Sequence, residues 1–435
     1  MREARATGSA ISDPQAARTS AIVAGTLGNV LEWYDFSVYG FLVPSLAAAF
    51  FPKASHLAQI LFTFGVFGVG FIMRPVGSVV IGAYGDRAGR RAALTLTVGL
   101  MGLATLAIGL LPTYAGAGLW APVLLTLARL AQGFSAGGEW GGAAAFLVEY
   151  APEGRRGYIG SWQQFSVGGG LLLGSAFVAL LAGLLGHAAL AAWGWRIPFL
   201  CGIAIAGFAA YFRLRLPDTP QFAAVEQRHA LARRPLRELL TGHRAALLTQ
   251  FGLTIHNTVS YYITLSYMPT WLTAVVKMPQ RQALLVSTLG LLVLVGATPL
   301  IGALSDRVGR KPLLIASCVG FILFCYPLYR LASAAQFGTV LAVQIVLGLL
   351  TATYSACVPA TYAELFPTRV RYSGLSVGYN AAVLVFGGFA PFIATWLVAA
   401  TGSSLAPTFY VIACALVTLG FVLRMRETAF APLPA

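Results

Sequence analysis

Gly82-Ala-Tyr-Gly-Asp86-Arg87-Ala-Gly89-Arg90-Arg91 and Gly302-Ala-Leu-Ser-Asp306-Arg307-Val-Gly309-Arg310-Lys311 are one polar loop written twice, 220 residues apart. Each follows an apolar run of about twenty residues, the length that crosses a ~30 Å hydrocarbon core. A second pair, Glu149-x-x-Pro152-x-x-x-Arg156 and Glu364-x-x-Pro367-x-x-x-Arg371, recurs at an offset of 215. Two loops repeated at nearly one offset mean a duplicated unit in parallel orientation. That arrangement, with a site where the halves meet near the bilayer midplane, is a transporter architecture.

The rest of the chain agrees. Of its 435 residues 58% are hydrophobic and only 10% charged, against about 25% charged in a soluble domain. The pattern predicts an all-α polytopic membrane protein with twelve spans near 22–48, 58–82, 92–111, 121–147, 160–183, 194–213, 246–271, 283–303, 312–330, 338–361, 374–398 and 406–424. These form two pseudo-symmetric six-helix bundles, 22–213 and 246–425. A tail (1–21), a basic linker (214–245) and a second tail (426–435) complete the chain. Residues 1–20 lack an apolar core with a cleavage site, so no cleaved signal peptide is expected.

Of the 29 Lys and Arg, 22 fall on one side of the spans and 4 on the other. Arg74, Arg129 and Arg196 lie inside spans. The positive-inside rule then places both termini in the cytoplasm of a cell inner membrane. The net charge of +15 is mostly this topology signal, which argues against a nucleic-acid partner. The five cysteines lie in apolar runs without a CxxC pair, so neither a metal nor a cofactor is expected. No HExxH, GxSxG or Walker loop occurs, which argues against an enzyme or an ATP-driven pump. A membrane sensor fits less well, because the longest polar segment is the linker. No obligate protein partner is evident, and a monomer is expected.

The repeated loops read as a latch on the cytoplasmic face, built from Gly82, Asp86, Arg87, Gly89, Arg90, Glu149 and Arg156 and from Gly302, Asp306, Arg307, Gly309, Arg310, Glu364 and Arg371. The Arg cluster is expected to pair with carboxylates or helix C-termini. Anchoring of single arginines to anionic headgroups stays open.

GxxxDRxGRR and Arg129-Leu-Ala-Gln132-Gly133 resemble the major facilitator superfamily. Gly28-Asn29-x-x-Glu32-Trp33-Tyr34-Asp35-Phe36, Gly70-Phe-x-Met-Arg74-Pro75-x-Gly77, Gln132-Gly-Phe-Ser-Ala-Gly-Gly138-Glu139 and Trp193-Gly-Trp195-Arg196-Ile-Pro198-Phe199 are similar to its metabolite:proton symporter family. The resemblance implies alternating access driven by protons, with citrate, tricarballylate, 2-oxoglutarate, shikimate, proline or betaine among the family's substrates.

A charge at a helix centre costs about 2.5–3.5 kcal/mol on insertion scales, so each one is a functional candidate. Glu32 and Asp35 share a helix face and make the first proton-coupling candidates, with ion pairs to Arg74 or Arg129 as the alternative. Glu139 is a third, unless its neighbouring glycines mark only a packing face. The resemblance links Arg129 to proton coupling and Arg74 to organic-acid binding, for which a guanidinium is the fitting partner. Arg196 is either a substrate contact or an interfacial anchor. Polar and aromatic candidates are Asn257, Tyr261 and Tyr262 in the seventh span, Gln163 in the fifth, Tyr354 in the tenth, and Tyr379 and Asn380 in the eleventh. His256 could carry a proton or be a satisfied core histidine.

Two features favour a small organic acid. The Phe64–Gly77 stretch is similar to the tricarboxylate and 2-oxoglutarate members, and the chain ends about ten residues after its last span. A zwitterionic osmolyte, with its cation held in an aromatic box, is the alternative.

Overall fold

The computed structural model describes residues 14–215, 218–228, 232 and 234–434. The tail before residue 14 and the remaining linker positions lie outside the described residues. Among those described there is no strand.

The first six helical segments are Pro14–Phe41 (continued by Val43–Phe50), His56–Ala88, Arg90–Leu110, Trp120–Tyr150, Arg156–Ala189 and Arg196–Arg215. The second six are Arg244–Tyr261 (continued by wider π turns to Val275), Gln280–Val308, Arg310–Ala332, Phe337–Ser355 (continued by Val358–Ala363), Thr368–Ala382 (continued to Thr401) and Ala406–Arg424. Their ends overrun the expected spans by a few residues, because the arginine-rich loops are themselves mostly helical. The linker also folds, into Pro220–Gln227 and Pro235–Gly242.

Among the described residues, nine segments are long and apolar enough to cross a membrane. The first, fourth and seventh fall outside that set. They carry Glu32 and Asp35, Arg129 and Glu139, and His256 and Asn257. Polarity is therefore concentrated in three helices. Leu184 and Leu300 are each 73% exposed, so the outer surface is apolar and suited to lipid.

Within the first bundle the second helix packs on the fourth, the first on the fifth and the third on the sixth. Glycine permits the closest of these approaches, since a Cβ on Gly133 would strike the backbone of Gly70. The halves meet where the second helix packs on the eleventh and the fifth on the eighth. A pseudo-twofold relation exchanges these two seams.

Candidate functional site

A small enclosed pocket lies on the seam between the halves. Trp33 of the first helix, Gln164 and Val167 of the fifth, Asn257, Thr258, Tyr261 and Tyr262 of the seventh and Tyr379 of the eleventh line it. Trp33 Nε1, Asn257 Oδ1, Thr258 Oγ1 and Tyr261 Oη are buried there without a hydrogen-bond partner. Buried polar atoms are normally satisfied, so a group of four facing one pocket is suited to a polar solute.

In its membrane part the first bundle buries three carboxylates, and their surroundings differ. Arg74 Nη2 donates to Glu32 Oε1 at 2.6 Å. The guanidinium lies 4.9 Å from the ring centres of both Phe36 and Phe71. Glu32 Oε2 and Arg74 Nε have no partner. Phe36 and Phe71 pack in one cluster with Tyr379 and Tyr262 of the pocket lining, so the pair lies next to the pocket, behind the residues that line it.

Asp35 is held more fully. It accepts from Arg129 Nη1 at 2.7 Å and from Thr105 Oγ1 at 3.1 Å. Gln132 closes the network by accepting from Arg129 at 2.5 Å and donating to Thr105 at 2.8 Å. The Arg129 guanidinium stacks 3.7 Å from the Tyr39 ring centre.

Glu139 pairs with neither Arg74 nor Arg129. Its partners are Arg213 Nη2 at 2.5 Å and the Thr97 hydroxyl, while Arg213 also donates to the Leu94 carbonyl. Arg213, counted from sequence among the loop cations, is 1% exposed and belongs inside the bundle. The neighbouring glycines do pack closely as well: a Cβ on Gly138 would strike Ile81. Of the three carboxylates, only Glu32 keeps an oxygen without a partner.

Several candidates sit elsewhere. Arg196 donates to Gly109 O at 2.9 Å and Leu111 O at 2.6 Å at the end of the third helix, and it is not among the residues that line the pocket. Gln163 is buried behind the wall, and its neighbour Gln164 lines the pocket instead. Tyr354 donates to Leu253 O at 2.8 Å within the second bundle. Asn380 donates across the seam to Gly137 O at 2.8 Å, a packing contact. His256 has no partner at either nitrogen and sits between Phe321 and Tyr354, with ring centres 4.9 and 5.0 Å away.

The repeated loops interlock. Asp86 accepts from the backbone N–H groups of Tyr372 (3.1 Å) and Ser373 (2.9 Å) in the opposite half. Asp306 does the same in reverse, accepting from Gly157 at 2.7 Å and Tyr158 at 2.8 Å. Each aspartate thus caps the first turns of a helix in the other bundle, where the helix dipole favours an anion. The arginines of the cluster pair with carboxylates, one of the two kinds of partner expected for them. Glu149 binds Arg90 of its own half at 3.1 Å and Arg371 of the other at 2.8 Å. Glu364 binds Arg310 at 3.3 Å and Arg156 across the seam at 3.2 Å. Arg87 and Arg307 lie exposed at the rim.

Two further acids complete the loops and carry no motif of their own. Asp218 accepts from the backbone N–H of Arg90 at 3.0 Å, and Glu427 from those of Arg310 at 3.0 Å and Lys311 at 2.9 Å. They fit because Gly89 (φ +99°) and Gly309 (φ +96°) have no Cβ to fill the space. Burial holds the Asp218 carboxyl above its ordinary range. At Glu427 burial acts in the same direction, but the N–H groups of Ala429, Arg310, Lys311 and Thr428 outweigh it and hold the carboxyl below. The only signal for either acid was its place just after the last helix of each half.

Comparison with known proteins places this geometry. Residues 20–244 match the family of sugar (and other) transporters, and residues 251–434 match the major facilitator superfamily. The glycine betaine/proline/ectoine/pipecolic acid transporter OusA of Dickeya dadantii is 37% identical over 95% of this chain and 84% of its own length. The citrate-proton symporter of Klebsiella pneumoniae is 38% identical over 91% of this chain and 88% of its own. The solved structure of the proton:xylose symporter XylE matches with a TM-score of 0.81 at 19% identity, covering 97% of this chain and 98% of that one.

Proposed function

The chain belongs to the major facilitator superfamily, within its metabolite:proton symporter family, and from that premise we propose that it imports a small carboxylate-bearing solute together with protons. The observation that carries the proposal is the buried Arg74–Glu32 pair next to the pocket, with one carboxylate oxygen unpartnered.

With Glu32 ionised, the guanidinium is neutralised and has little reason to take up a second carboxylate. A proton on Glu32 removes that competitor, and Arg74 then offers a bidentate fork to the solute. Proton and substrate therefore favour each other's binding, which is the thermodynamic requirement for symport. Trp33, Gln164, Asn257, Thr258, Tyr261 and Tyr379 complete the solute's surroundings. Asp35–Arg129 and Glu139–Arg213 keep the bundle's remaining charges paired and hold the first helix in register.

We take the arginine-rich face as the cytoplasmic one, with both termini inside and the protein in the inner membrane, and the carrier as a monomer. Closing and opening of the interlocked loops gate that face.

A small organic acid satisfies Arg74. A second reading, a zwitterionic osmolyte, is favoured by Trp33, Tyr261, Tyr262 and Tyr379 around the pocket, since aromatic faces suit a quaternary or secondary ammonium. Uptake of labelled citrate, 2-oxoglutarate, shikimate, proline and betaine into proteoliposomes under an imposed pH gradient decides between them. Uptake of none of these, or uptake indifferent to the gradient and to a protonophore, contradicts the proposal.

A further inference from the structure

The segment after the last helix does not hang free. Thr428 Oγ1 donates to Glu364 Oε2 at 2.6 Å, and Glu427 is fixed on the first turn of the ninth helix. Arg156 Nη2 donates to Ala429 O at 3.1 Å and to Ala431 O at 2.5 Å. Pro434 O accepts from Arg371 Nη2 at 2.8 Å and from Thr368 N at 3.3 Å. Residues 427–434 therefore run over the interlocked loops, attached to the second bundle and reaching the first through Arg156.

The two halves differ here, although their loops are otherwise equivalent. Arg371 finds carbonyl acceptors in its own loop, Ala363 O at 2.9 Å and Phe366 O at 3.1 Å. The carbonyls bonded to its counterpart Arg156 belong to the terminal segment. Arg156 is 7% exposed, and a buried guanidinium that loses its acceptors is costly. When the gate opens the bundles separate, so Arg156 must part from Ala429 and Ala431. Through Pro434 the same segment also steadies Arg371, whose other partner across the seam is Glu149.

We propose that residues 428–434 are a strap that holds the loop face closed, supplying Arg156 with the carbonyls its own loop does not, and that releasing it opens this face. Anything that lifts the strap, whether a modification, a protein or a lipid surface, would shift the carrier toward the state open on that side.

The test compares the full-length protein with a deletion of residues 429–435, both purified and followed by hydrogen exchange. Deletion should speed exchange of the Gly157 and Tyr158 amides and of the Tyr372 and Ser373 amides about tenfold, the equivalent of ~1.4 kcal/mol. Exchange in the third helix should stay as it is. The Thr428→Val variant, which loses only the Glu364 bond, should move the same amides less and in the same direction. If the deletion does not fold, Thr428→Val and removal of residues 434–435 decide by the same criterion. Unchanged exchange at the four amides overturns the proposal. So does a rise shared equally by the third helix, because that is general loosening and not gate opening. Uptake plays no part in this readout, so failure of the symport proposal would leave the result interpretable.

Discussion

The two bundles are nearly alike at the loop face and unlike in the membrane. At the loops, Asp86 and Asp306 cap opposite helices, Glu149 and Glu364 each hold an arginine from both halves, and Asp218 and Glu427 repeat one role. Inside the membrane the first bundle holds Glu32–Arg74, Asp35–Arg129 and Glu139–Arg213. Among the described residues, the membrane part of the second has no ion pair, only neutral polar groups and the partnerless His256. On the function proposed here, gating needs both halves to grip each other, whereas proton coupling needs only one titrating pair near the substrate, and that accounts for the difference.

This contrast can be broken most forcefully at Asp35. Replacing it with Asn strands Arg129 in an aromatic setting, and a broken buried pair costs about 3–5 kcal/mol. Asp35→Asn should therefore lose folded protein, seen as a large drop in melting temperature. Asp35→Asn with Arg129→Gln should recover much of it. If the single variant is as stable as the parent, the pair is not the structural anchor described here.

A smaller effect is expected at the gate, and it should be symmetric. Asp86→Asn and Asp306→Asn each weaken two charge-assisted bonds across the seam, each bond worth about 1.5–3 kcal/mol. Uptake should slow roughly tenfold in both while substrate affinity, measured by calorimetry, changes little. A defect in only one variant would mean that the loops have diverged in role. A large affinity loss at normal turnover would remove them from gating altogether.

The smallest effect belongs to the second bundle's histidine. His256→Leu removes two unsatisfied nitrogens from an aromatic setting and should change stability by no more than about 1 kcal/mol. Gradient-driven uptake should persist. Loss of proton coupling in this variant would show that the second half contributes a titrating group after all.

Much of the architecture is legible in the sequence because membranes impose it. Span length, loop charge and the repeated loops depend on bilayer thickness and topology, and each leaves a local trace. The candidate site is legible only in part. Glu32, Arg74, Tyr261 and Tyr379 stand out as charges or aromatics within apolar runs. That Arg74 meets Glu32, and Arg129 meets Asp35, depends on how helices rotate against each other, which spacing does not state. Arg213 looks like a loop cation because it lies two residues from its helix end, and only packing shows that it turns inward to Glu139. Thr258 is an ordinary helix residue until the halves close around it. Asp218, Glu427 and the strap lie in short segments without periodicity, so nothing local distinguishes them.

The central claim is that Glu32 is the exchangeable carboxyl that frees Arg74 for the substrate. Glu32→Gln mimics the protonated state permanently. In proteoliposomes this variant should catalyse exchange of substrate across the membrane with no gradient, yet fail to accumulate it when a pH gradient is imposed, and its substrate affinity should no longer vary with pH. Gradient-driven accumulation that survives in folded Glu32→Gln would contradict the account.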